Sequence, residues 1–150
     1  MDLSTNDARL ALAAKYAAKY GLEPSLVCAV IEQESFWNPF AIRWEPLFFQ
    51  RYIVPQGLAD ATEAYTRAMS FGLMQIMGET AREFGFQGKF LTQLCDPDIG
   101  VEIGCRKLQK CFSVHGDAET SLLAYNGGGD AYYPAQVLAR VERYVPQEST

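Results

Sequence analysis

The chain has 150 residues, enough for one domain with a real core. Lys and Arg number 13 against 18 for Asp and Glu, and the resulting net charge of −5 argues against a nucleic-acid partner or electrostatic capture by an anionic surface. No stretch is apolar and long enough to insert in a membrane, and Met1 to Asp7 lacks the basic start of a secretory leader.

The pattern reads mostly α, as a single domain over residues 1–150. A first helix is expected from Ser4 or Thr5, with Ser4 and Asp7 in a capping arrangement and Gly21 as its stop. Its inward face is Leu10, Ala13, Ala14, Ala17 and Tyr20. A second starts at Pro24, whose fixed φ suits the first helical position. There Val27, Val30, Ile31 and Glu34 follow the i, i+3, i+4, i+7 rule, and Asn38-Pro39 ends the element.

Residues 40–70 carry dense aromatics without clean periodicity, broken by Pro46, Pro55 and Gly57. They read as a loop-rich lobe with one or two short helices, including one near 60–68, that walls a cleft. Gly72 to Met77 suits a short strand or extended turn, with Leu73, Ile76 and Met77 in the core. Glu79 to Phe84 reads as a short helix closed by Gly85. Asp96-Pro97 starts a central helix with Val101, Gly104, Cys105, Leu108, Cys111 and Phe112 on one face. Asp117 caps another, which places Leu122 and Leu123 inward and runs to Tyr125-Asn126 and the glycines after them. The last helix is expected from Pro134, with Val137, Leu138, Val141 and Tyr144 on one face and Pro146 at its end.

The four cysteines form no CxxC pair, and His115 is the only histidine. Neither a metal site nor a cofactor is expected. Cys28 and Cys105 fall on apolar stripes and read as small buried hydrophobes, while a bridge through Cys95 stays open. His115 precedes a turn glycine and no cysteine starts a helix, so a Cys–His–Asn126 peptidase is not favoured.

Glu34 carries the most chemistry. It lies at the negative end of its helix dipole, on the face that also holds Val27, Val30 and Ile31. Both features raise a carboxyl pKa and suit a general acid; periodicity alone leaves that role and a solvated helix end equally open. Glycosidic bonds need such an acid, usually with a second carboxylate. Among Glu45, Asp60, Glu63 and Asp96, the last reads as a cap and the middle two as solvated helix charges. Glu45, between Trp44 and Pro46, is the least ordinary. Gln75 lies in an apolar run and either binds a sugar or ties a loop. Asn126 is a sugar ligand or a cap, and Tyr125 offers a phenol at the same mouth.

Three words stand in order: Glu34-Ser35-x-x-Asn38-Pro39, Ser70-x-Gly72-Leu73-Met74-Gln75-Ile76, and Ala124-Tyr125-Asn126-Gly127-Gly128. Together they resemble the soluble lytic transglycosylase (SLT) family, relatives of goose-type lysozyme, over roughly residues 10–145. The resemblance implies a lysozyme-like fold with a substrate cleft. It implies cleavage of the MurNAc-β-1,4-GlcNAc bond of peptidoglycan strands, with Glu34 as acid and then base and a 1,6-anhydro ring as product. It assigns Ser70, Gly72, Met74, Gln75, Tyr125 and Asn126 to sugar binding, with Tyr144 as a late family tyrosine. Two departures stand out: Gly78 where proline is common, and a long segment from Trp44 to Tyr65. Glu45 falls in that segment and suits a hydrolytic variant, a goose-type-like lysozyme. A non-catalytic peptidoglycan-binding module is the alternative from another class. A leaderless wall enzyme is expected to be a monomer made in the cytoplasm and acting in the periplasm. A phage endolysin released through a holin lesion, or a part of an export machine, fits that setting.

Overall fold

The computed structural model describes residues 1–145, and helices dominate it as expected. Five of them close a ring in which each packs on the next: α1 (Asn6–Tyr20), α6 (Pro97–His115), α7 (Ala118–Tyr125), α8 (Tyr133–Val141) and α2 (Pro24–Ser35), which returns to α1. Between α2 and α6 the chain forms the second lobe, with β1 (Ile42–Trp44), α3 (Pro46–Phe48), α4 (Ala61–Arg67), β2 (Met69–Phe71), β3 (Ile76–Met77) and α5 (Gly78–Glu83). Among the described residues no helix is long and apolar enough to cross a membrane.

α2 begins on Pro24, which supplies helical φ and lacks only an N–H that would be unpaired there. Val27, Val30 and Ile31 are fully buried, each worth roughly 1.5–3 kcal/mol of transfer free energy. The helix stops at Ser35, three residues before the Asn38-Pro39 signal. Phe36 (φ 50°) and Trp37 (φ 65°) turn left-handed, which bulky residues rarely do. Side-chain anchoring of Trp37 holds this strain. The indole is buried, its Nε1–H donates to the Tyr144 hydroxyl at 2.8 Å, and the Arg9 guanidinium lies 5.0 Å from the ring centroid.

β1, β2 and β3 form an antiparallel sheet in that order. Its register pairs Arg43 with Ser70 and Ser70 with Met77, so these three side chains share one face. The Gly72–Gln75 turn between β2 and β3 inserts into the helical ring. Gly72 sits at φ 70°, and a Cβ there would lie 2.5 Å from the Leu94 carbonyl. Met74 is fully buried against Gly104 of α6, where any Cβ would collide with its thioether. Glycine is therefore required at both contacts, which bring the turn close to α6.

Several boundaries differ from expectation. Thr5, not Ser4 with Asp7, caps α1 by accepting from the Ala8 N–H. The buried face of α1 is Leu12, Ala13, Tyr16 and Ala17, rotated from the expected stripe because Tyr16 reaches Asp98 at the start of α6. Residues 46–56 form one helical arc, widened to a π-type turn at Phe49–Ile53 and tightened to a 3₁₀ turn at Val54–Gln56. Trp44, Phe49 and Tyr65 cluster there, with the last two rings stacked at 4.8 Å. α8 starts at Tyr133, one residue before the expected Pro134, and Leu138 faces outward; Pro146 lies outside the described residues. Asp96 and Asp117 cap α6 and α7 as expected. Gly78 opens α5 directly against the Thr66 carbonyl, a contact that the Cβ of a proline would block.

Candidate active site

Glu34 occupies the last turn of α2, at the unfavourable end of the helix dipole, and lines a cavity of about 480 Å³. Its Oε1 accepts from the Tyr133 hydroxyl at 2.6 Å. Burial pushes its carboxyl above the usual carboxylate range; the Tyr133 hydrogen bond and the charges of Lys107 and Arg43 pull it partly back. The side chain is therefore a partly buried acid with one fixed oxygen, held away from bulk water.

The cavity runs between the helical ring and the sheet. Arg43, Ser70 and Met77 line it because the register places them on one face. Phe48 and Thr80 extend that wall. Gln75, Lys107, Tyr125, Asn126 and Gly127 also line the cavity. Glu45 lies on the same cavity with its carboxylate 2.6 Å from the Arg43 guanidinium.

Hydrogen bonds stitch the three sequence words together. Ser35 Oγ donates to the Leu73 carbonyl at 2.8 Å, which ties the residue after Glu34 to the inserted turn. The Tyr125 hydroxyl donates to the next carbonyl, that of Met74, also at 2.8 Å. Gln75, itself at φ 48°, donates through Nε2 to the carbonyls of Ala41 and Gly72. Each word therefore fixes another, because the turn offers backbone carbonyls that burial obliges to find donors.

Those bonds limit what the residues can offer a ligand. The Tyr125 hydroxyl gives its proton to the Met74 carbonyl, so it has none to offer a ligand. Gln75 ties the loop, which leaves its acceptor Oε1 for a partner. Asn126 both lines the cavity and caps the glycine turn, its Oδ1 accepting from the Asp130 N–H. Asn126 keeps right-handed backbone, and Gly127 and Gly128 take the positive φ.

Three sequence-assigned residues lie away from the cavity surface. Gly72 faces Leu94, and Met74 fills the contact with Gly104. Tyr144 lies on the other side of α2, where its hydroxyl accepts from Trp37 and donates to Glu32 Oε2 at 2.6 Å. α8 ends at Val141, so Tyr144 is not on that helix as expected but on the 3₁₀ turn Glu142–Tyr144 that follows it and packs onto α2. Met77, expected in the core, lines the cavity instead because it shares the face of Ser70. Glu63 is not a solvated charge: Arg82 and Arg67 bind it and hold its carboxyl below the ordinary value.

Tyr133, Lys107 and Arg43 escaped the sequence reading. Lys107 left a trace there, since it stands three residues after Gly104 and four before Cys111 on an otherwise apolar face. Tyr133 left none, because nothing local distinguishes it from Tyr132.

Among the described residues no group of His, Cys, Asp and Glu could hold a metal ion. The four cysteines are free thiols, and burial pushes Cys28 and Cys105 up to about 12, far from thiolate chemistry.

The family described as "Transglycosylase SLT domain", whose fold is lysozyme-like, matches residues 11–137. The chain is similar to a transglycosylase of Enterobacteria phage PRD1, at 32% identity over 112 residues, covering 75% of this chain and 32% of that protein. It is also similar to the membrane-bound lytic murein transglycosylase C of Yersinia pestis (strain Pestoides F), at 30% identity over 101 residues, covering 63% of this chain and 22% of that protein. The chain thus spans about a third of the first relative's length and about a fifth of the second's. It belongs to the transglycosylase SLT-domain family.

Proposed function

We propose that this chain is a peptidoglycan lytic transglycosylase module in which Glu34 performs both proton transfers. The observation that carries the reading is the Glu34 carboxyl: partly buried, raised in pKa by that burial, and open to a sugar-sized cavity. In the first step Glu34 gives its proton to the glycosidic oxygen. The C1–O bond of MurNAc breaks, and its electron pair leaves on GlcNAc O4. In the second step the C6 hydroxyl of the same MurNAc attacks C1, and Glu34 takes up the proton released. The C1–O6 bond closes a 1,6-anhydro ring, and no water is consumed.

Ser70, Gln75 and Asn126 line the cavity and serve as sugar contacts, with the Tyr125 ring as an apolar wall. Gly72 and Met74 act indirectly, by seating the turn. No second carboxylate is needed, because the sugar supplies its own nucleophile. The test is mass spectrometry of purified sacculi after digestion. Anhydro ends support the reading; reducing ends or no products overturn it.

A hydrolytic reading rests on one observation, that Glu45 shares the cavity with Glu34. Its Arg43 partner is 73% exposed, so that pair is weak and screened. The similarity to a phage transglycosylase supports wall breakdown in a phage setting. To this the proposal adds a monomer that reaches the periplasm through a holin lesion or another route.

A further inference from the structure

Lys107 lies inside the cavity wall on α6, where its Nζ donates to the Tyr125 carbonyl at 2.8 Å and sits 4.2 Å from the centroid of the Tyr125 ring. Among the described residues no carboxylate comes within ion-pair distance of it. A buried ammonium held by one carbonyl and one π-face is costly, and a fold that only needed packing there would place an apolar residue. Something across the cavity must offset that cost.

We propose that Lys107 is a positioning residue of the reaction, the fixed positive charge against which the Glu34 carboxyl releases and regains its proton. The inference rests on the reading of Glu34 as acid and base. Glu34 is ionised only between the two proton transfers, and there burial works against it. A cation held by Tyr125, and not bonded to the carboxylate, stabilises that short-lived anion without occupying the oxygen that must meet the sugar.

The other groups facing Glu34 do not supply this charge. Tyr133 on α8 and Tyr125 on α7 are neutral phenols, which burial keeps protonated. Arg43 on β1 is largely exposed and paired with Glu45 two residues along the chain, so salt and water screen it. Burial lowers the Lys107 ammonium itself, and the Glu34 charge works in the opposite direction, so each group favours the charged form of the other.

The test compares pH–rate profiles of the wild type, Lys107→Met, Lys107→Arg and Arg43→Met on soluble peptidoglycan fragments, with anhydro ends counted. Lys107→Met should lower kcat with little change in KM and move the alkaline limb up by about one pH unit. Lys107→Arg should hold the limb in place, and Arg43→Met should move it less, and less still in high salt. An unmoved limb in Lys107→Met overturns the proposal, as does a higher KM with an unchanged limb, which makes Lys107 a sugar ligand. If the methionine variant does not fold, Lys107→Gln with ¹³C NMR titration of the Glu34 carboxyl decides the same point. A wild type without anhydro ends sinks the proposed function instead, so the two failures are told apart.

Discussion

The Tyr133 hydroxyl donates to Glu34 Oε1 at 2.6 Å, across a separation of 99 residues. This bond joins the start of α8 to the end of α2 and fixes one oxygen of the acid. A hydrogen bond to a charged group contributes about 1.5–3 kcal/mol. Tyr133→Phe should therefore slow turnover roughly ten- to hundredfold and move the alkaline limb of the pH profile upward, since the donor favours the ionised carboxyl. Steady-state rates across pH check this; wild-type behaviour would remove Tyr133 from the site.

Glu34→Gln keeps the shape and the acceptor for Tyr133 but has no proton to give. Its rate should fall at least about a hundredfold while glycan binding persists. Stability gives an independent check. The folded pKa of Glu34 is raised above its ordinary 4.5, so the carboxyl favours the fold most below that value and loses the benefit as pH rises through the folded pKa. The glutamine variant should melt at or above the wild-type temperature at pH 8, and the gap should close near pH 4. A variant less stable than wild type at pH 8 would contradict the burial of the acid.

Glu45→Gln separates the two chemistries. If the sugar supplies its own nucleophile, the rate should change by less than about fivefold, as for loss of an exposed ion pair. The products should stay anhydro. Loss of about a hundredfold would identify Glu45 as a base for water.

Tyr144→Phe tests the placement of Tyr144 on the far side of α2 from the cavity. The Trp37 indole N–H would lose its acceptor and Glu32 a donor, at a cost of about 1–3 kcal/mol in unfolding free energy. KM should not move. A raised KM with unchanged stability would return Tyr144 to the cleft.

Gly72→Ala should destabilise by about 2 kcal/mol or more, from positive φ and from the collision with the Leu94 carbonyl. Gly85→Ala is the control, because its φ of 84° carries strain but its Cβ meets nothing within 4 Å. Equal losses in denaturant melts would show that crowding at Gly72 contributes nothing.

The helices were legible where local chemistry decides them. Pro24, Asp96-Pro97, Asp117 and Gly21 mark boundaries that the structure keeps. The end of α2 was not legible, because Phe36 and Trp37 hold left-handed backbone only through Trp37's contacts with Tyr144 and Arg9. The burial of Glu34 followed from its stripe, but its partner did not. Tyr133 comes from a helix folded onto α2 from far along the chain, Lys107 stands on α6 beside its neighbour α7, and no spacing rule links either to Glu34. Met77 was misplaced for a related reason: only the β2–β3 register decides that it shares a face with Ser70.

Digestion of sacculi in heavy-oxygen water, followed by mass spectrometry, tests the central claim most directly. The account predicts muramic acid ends one water lighter than free ends, carrying no heavy oxygen, in wild type and Glu45→Gln alike, and no products from Glu34→Gln. Reducing ends that carry one heavy oxygen, or any products from Glu34→Gln, would contradict it.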